Sequence, residues 1–130
     1  MLSFLLDAGI GSVSSVLWIL FIISLLVILI EAVVMFLFKL NNFGKTLLHS
    51  FFVNIVSTIV GYIMISYQDS NNDKISTPGQ WLIFFGATVI IEGLLLMLLY
   101  TKTSKSRLWL ITVVMNLVSY LFLYLASFLL

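Results

Sequence analysis

Residues 29–39 read LIEAVVMFLFK, a glutamate set in an apolar run that stops at a lysine. The run around it extends over residues 16–38. An α-helix needs roughly 20 apolar residues to cross the hydrocarbon core of a bilayer. Three further stretches meet that length, at residues 46–66, 80–100 and 108–130. None of the four alternates as a membrane β-barrel strand would. Composition points the same way: the chain is 62% hydrophobic and 8% charged, whereas soluble domains carry about 25% charged residues. The mean hydropathy is +1.24. The expected fold is an all-α integral membrane protein, a bundle of four transmembrane helices.

The opening stretch has a counterpart. IIEGLLLMLLY (residues 90–100) lies over LIEAVVMFLFK and places Glu92 over Glu31. FVNIVSTIVGY (residues 52–62) lies over VMNLVSYLFLY (residues 114–124), matching Asn54 with Asn116, Ser57 with Ser119 and Tyr62 with Tyr124. Any two membrane helices share Leu and Val by chance, but rare polar residues in the same order and spacing are harder to match that way. Each half crosses the membrane twice, so the expected arrangement is two tandem parallel helical-hairpin repeats. The boundaries read as hairpins over residues 16–66 and 80–130 and a polar extracytoplasmic loop over residues 67–79. Residues 1–15 form a short N-terminal segment, in which Leu2, Phe4, Leu5 and Leu6 suit either an interfacial turn or a loosely ordered start. This segment lacks the positive n-region of a secretory signal and is expected to be retained.

Basic residues set the orientation. Lys39 and Lys45 flank the first connection, while Lys102, Lys105 and Arg107 lie in the third, and neither connection carries an acid. The middle loop holds Asp69 and Asp73 against Lys74. Short loops rich in Lys and Arg mark the cytoplasmic side. These five basic residues therefore act as topology anchors, with loops 39–45 and 101–107 cytoplasmic and both termini extracytoplasmic. Trp18, Tyr67 and Trp81 then fall at the outer interface, and Tyr100 and Trp109 at the inner one. The expected location is a bacterial inner (cytoplasmic) membrane. Pro78 is placed to begin the third helix, and His49 reads as an interfacial residue.

Glu31, Asn54, Ser57, Glu92, Asn116 and Ser119 form the candidate intramembrane polar site. Glu31 and Glu92 each lie eight residues before the inner end of their helix, at Lys39 and Tyr100. Asn54 and Asn116 each lie nine residues after theirs, at Lys45 and Arg107. At 1.5 Å per residue all four sit roughly 12 Å from the inner end, so Glu and Asn can pair within a hairpin, between hairpins or across subunits. An acid at a helix centre costs roughly 2.5–3.5 kcal/mol on insertion scales. An interhelical hydrogen bond returns only about 0.6–2 kcal/mol. Low dielectric favours a neutral carboxyl. Packing or function must maintain the rest. Ser50, Thr58 and Gly61 on the second helix, Thr88 and Gly93 on the third, Thr112 and Tyr120 on the fourth, and Ser24 on the first suit a closely packed seam.

Enzymatic activity has little support: the chain has one His, no Cys, no Gly-rich phosphate loop and no metal-ligand spacing. No cofactor is expected, and no basic patch suggests nucleic acid. Residues 30–39, IEAVVMFLFK, are similar to a segment of the small multidrug-resistance transporters, which also have four short helices and a membrane-embedded Glu in the first. The similarity covers about a tenth of the chain. The chain departs from those transporters in its N-terminal extension, in its second Glu, and in lacking a Gly-rich match within FFVNIVSTIVGYI (residues 51–63). That family is not assigned. The first functional expectation is a structural or assembly subunit that packs through its helices, in lipid, with itself or within a larger membrane complex. The alternative is a small proton- or cation-coupled transporter or channel using Glu31 and Glu92.

Overall fold

The structure, a computed structural model, describes residues 13–71 and 77–129, with side chains over 17–67 and 79–128. It is all-helical: α1 (Val13–Leu37), α2 (Phe43–Asn71), α3 (Thr77–Leu99) and α4 (Lys105–Leu129). Within them, Leu17–Leu37, Phe43–Tyr67, Gly79–Leu99 and Lys105–Phe128 are long and apolar enough to cross a membrane. A helix satisfies its backbone internally, which hydrocarbon demands. The chain is thus an integral membrane protein. Helix α1 takes in the last three residues of the segment read as N-terminal and interfacial, and residues 1–12 lie outside the described residues. The segment read as a loop over residues 67–79 is shorter than expected, because α2 runs on to Asn71 and α3 begins at Thr77. Residues 72–76 lie outside the described residues.

Local chemistry fixes the two connections at the basic end. Helix α1 stops at Lys39, which adopts a left-handed φ of 55°. There the Lys39 amide donates to the Phe36 carbonyl at 2.8 Å and the Leu40 amide to the Met35 carbonyl at 3.1 Å. This is a Schellman closure built on a residue other than the usual glycine. Asn42 then caps α2, its Oδ1 accepting from the Lys45 amide at 2.9 Å. Lys39, Lys45, Lys102, Lys105 and Arg107 are all exposed at this one end of the bundle.

Each helix packs against its neighbours in sequence and α4 closes the ring against α1, while neither diagonal pair is in contact among the described residues. The outward faces are apolar and exposed, as at Leu20, Leu98 and Leu121, and suit lipid. Tyr62 and Tyr124, matched in the sequence, also face outward. The inward faces divide in two. Toward the basic end, Val34, Met35, Val53, Leu96, Tyr100, Leu108, Ile111 and Met115 form a buried plug. Toward the other end the helices stand apart around a cavity. The sequence reading placed Tyr100 at the interface, but the structure buries it in the plug. Its ring lies edge-on to His49, centroids 5.1 Å apart.

Gly93 shows how closely α3 and α4 approach. A Cβ built there would lie 2.5 Å from the Trp109 ring. Gly61 and Gly86 have open space at the same position, so the close approach expected at Gly61 is absent. Gly93→Ala is expected to cost about 1–3 kcal/mol through overpacking, whereas Gly86→Ala is not. Thermal unfolding of the two variants in the same detergent distinguishes them.

Candidate functional site

The site is built where the plug ends. Glu31 on α1 and Glu92 on α3 point inward at the same height, 1% and 0% exposed. Asn54 on α2 donates through Nδ2 to Glu31 Oε2 and to the carbonyl of Ser50 at 3.0 Å. Asn116 on α4 donates through Nδ2 to Glu92 Oε2 at 2.7 Å and to the carbonyl of Thr112 at 3.0 Å. Each Glu–Asn pair thus forms within a hairpin. In both cases the amide also reaches back one helical turn to the carbonyl at i−4, which fixes its orientation.

One serine connects one hairpin to the other: Ser57 on α2 donates to Glu92 Oε1 on α3 at 2.9 Å. Ser119 on α4, its sequence counterpart, donates to the Asn116 carbonyl of its own helix at 3.1 Å. Glu92 is therefore held by an Asn from its own hairpin and a Ser from the other, whereas Glu31 is held within its own hairpin. Both carboxyls line the same cavity. All six residues of the candidate site are brought together.

Ser50 completes the group, although the sequence offered it only as part of a packing stripe. Its hydroxyl donates to the Ile28 carbonyl at 2.9 Å and approaches Glu31 Oε2 at 3.5 Å. The available signal was its position one turn before Asn54, on the same face. Thr112, at the corresponding place before Asn116, turns its hydroxyl to the Leu108 carbonyl at 2.8 Å instead.

Above the acids the helices enclose a cavity of about 500 Å³. Its floor is Glu31, Glu92, Asn54, Asn116, Ser57 and Ser119, and its walls include Phe21, Ser24, Thr58, Gly61, Thr88 and Tyr120. Most of these wall residues read in sequence as packed seam. They line the cavity instead. Thr88 donates back to the Phe84 carbonyl at 2.7 Å and lies 3.2 Å from the Tyr120 hydroxyl. The cavity walls are thus mostly apolar rings and aliphatics, with the Ser24, Thr88 and Tyr120 hydroxyls paired, while the strongly polar groups gather at the floor.

Two bonds between hairpins close the basic end. His49 Nδ1 and the Tyr100 hydroxyl lie 2.6 Å apart, joining α2 to the end of α3. Arg107 at the start of α4 donates to the Phe38 carbonyl at the end of α1. Burial pushes the Tyr100 phenol up from its ordinary value. Neither bond was foreseen: His49 read as interfacial and Arg107 as an anchor alone.

No known protein family, no curated protein and no solved structure matches this chain.

Proposed function

We propose that the chain is a small proton- or cation-coupled membrane transporter in which Glu31 and Glu92 form the titratable site. The observation that carries this reading is a cavity lined by two buried carboxyls, with a packed apolar plug between them and the basic end. A seam selected only for packing would bring its helices together above the acids, since unfilled space next to buried polar groups forfeits dispersion contacts. Here the space is kept and the acids are its floor. Intramembrane acids facing a cavity are the usual setting of ion pathways and proton relays.

In this reading the halves are tandem parallel hairpin repeats, supported by the matching Glu–Asn bonds and by each amide's second bond to the carbonyl one turn back. The Lys/Arg-bearing end lies in the cytoplasm, so the cavity opens to the opposite side and the plug seals the inner one. Rocking one hairpin against the other would break Ser57–Glu92, His49–Tyr100 and Arg107–Phe38 together, which makes the repeat boundary the natural plane of motion.

The test is proton entry into liposomes carrying the purified chain and an internal pH-sensitive dye, with a potassium–valinomycin potential applied. Protein-dependent acidification above that of empty liposomes supports the reading. Acidification equal to empty liposomes, under both proton and sodium gradients, overturns it.

A second reading rests on a different observation. Three side chains tie one hairpin to the other, and such polar bonds can specify helix register in an assembly. A structural subunit would then bind a second copy or a larger membrane protein through its lipid-facing surfaces. Native mass spectrometry from the host membrane would show that partner in fixed stoichiometry.

A further inference from the structure

Asn116 is 0% exposed, lines the cavity, and has one polar atom without a partner: its Oδ1 accepts no hydrogen bond, the sole such buried side-chain atom among the described residues. An orphaned buried acceptor is rare and calls for an explanation. The amide cannot remedy this by turning over. Its Nδ2 is committed to Glu92 Oε2 and the Thr112 carbonyl, and reversal would set Oδ1 against both acceptors.

The residue that carries the orphan oxygen shares the cavity lining with other oxygen-bearing side chains, Glu31, Glu92, Ser57 and Ser119. A hydroxyl that donates one hydrogen bond, as Ser57 does to Glu92, still has lone pairs to offer. No nitrogen acceptor or sulfur joins the set. No group of three or more His, Cys, Asp or Glu side chains comes together among the described residues, so the ligand chemistry rests on amide and hydroxyl oxygens around two carboxyls. Oxygen-only sets suit hard cations.

The donor set decides which kind. The floor offers two carboxyls, each already accepting from an amide, and no third acid joins them among the described residues. Calcium takes about six to eight oxygens, carboxylates prominent among them, so a set this poor in charge suits one monovalent cation. We infer that the floor of the cavity binds one sodium ion, with Asn116 Oδ1 among its ligands and the Glu31–Glu92 pair supplying the charge. The inference deepens the transport reading and rests on it for the meaning of the site: sodium and protons would compete for the same carboxyls.

The test is equilibrium binding of radioactive sodium to the purified full chain in detergent, with choline chloride holding ionic strength constant. The expected result is saturable binding of one ion per chain that is displaced as pH falls. Asn116→Leu is expected to weaken it about 10- to 100-fold, the range seen when one supporting group of a metal site is lost. If that variant does not fold, Ser57→Ala provides the second probe, removing one hydroxyl oxygen and weakening binding in the same direction. Binding no greater than in choline-matched controls lacking protein overturns the inference, as does displacement of sodium by equimolar calcium. The two readings fail separately. Proton flux without sodium binding overturns the sodium site and leaves transport standing. Sodium binding without flux of either ion does the reverse.

Discussion

Glu92→Gln is expected to reduce flux to the level of empty liposomes while the bundle stays folded, and Glu92→Ala to lose both flux and stability. The difference lies in what each substitution leaves for Ser57 and Asn116. The Glu92 carboxyl accepts from Ser57 at Oε1 and from Asn116 at Oε2. A glutamine keeps one acceptor oxygen for the Asn116 amide and turns its own NH2 toward Ser57 Oγ, which can accept in place of donating. The cost is expected to be about 1 kcal/mol or less, comparable to a single neutral hydrogen bond. An alanine removes both acceptors: Ser57 keeps the Asn54 carbonyl at 3.2 Å, but the Asn116 amide keeps only the Thr112 carbonyl and has one N–H left unpaired at the cavity floor. That N–H costs about 1–3 kcal/mol, and the truncated side chain adds its lost packing. Glutamine cannot titrate, so flux is lost in both. If Glu92→Gln retains wild-type flux, the carboxyl is not the working group. If it unfolds as readily as Glu92→Ala, the hydrogen-bond account of the site is wrong.

Met115→Ala is expected to be the most destabilising single truncation in the plug, costing about 2–5 kcal/mol. Met115 is 0% exposed and packs in the cluster directly below the acids. Removing its side chain leaves a void that ring-packed helices cannot collapse into without also moving Asn116, its neighbour in sequence. In the transport reading the void also thins the seal under the acids, so proton leak should rise without an applied coupling gradient. Leu121→Ala on the same helix is the control, because Leu121 is 57% exposed toward lipid and its truncation opens no cavity. A change there of no more than about 0.5 kcal/mol is expected. Thermal unfolding in detergent and passive leak in liposomes read out both variants, and equal behaviour of the two would mean the plug is not packed as described.

The four helices were legible in the sequence because each is a run long enough to span and the chain has too few charges for anything else. The common depth of Glu31, Asn54, Glu92 and Asn116 was also legible, because polar residues are few in these helices and can be counted from the basic ends. Which Glu meets which Asn was not, since four residues at one depth can pair within a hairpin, between hairpins or between subunits. The cavity was not legible. Thr58, Gly61, Thr88 and Tyr120 carry the small and hydroxyl side chains of a packed seam, and whether such a stripe meets a partner or open space depends on the facing helix. Gly93 and Gly61 make the point together: both lie on inward stripes, yet only Gly93 has a ring pressed against it. Tyr100 was misplaced for a related reason. An aromatic at a helix end suits the membrane interface, and only the fold shows that His49 from α2 draws it inward. The left-handed Lys39 was equally hidden, since glycine is the residue that usually marks such a closure.

The chain has no cysteine, so a single introduced thiol reports on its own surroundings. The central claim, an aqueous cavity open to one side only and ending on the acids, is tested most directly by placing that thiol at Thr88, on the cavity wall. Thr88→Cys in sealed membranes is treated with a charged, membrane-impermeant thiol reagent, first in right-side-out and then in inside-out vesicles. The account predicts labelling in the right-side-out vesicles and protection in the inside-out ones, where the plug stands between the reagent and Cys. No labelling from either face, or equal labelling from both, would contradict it.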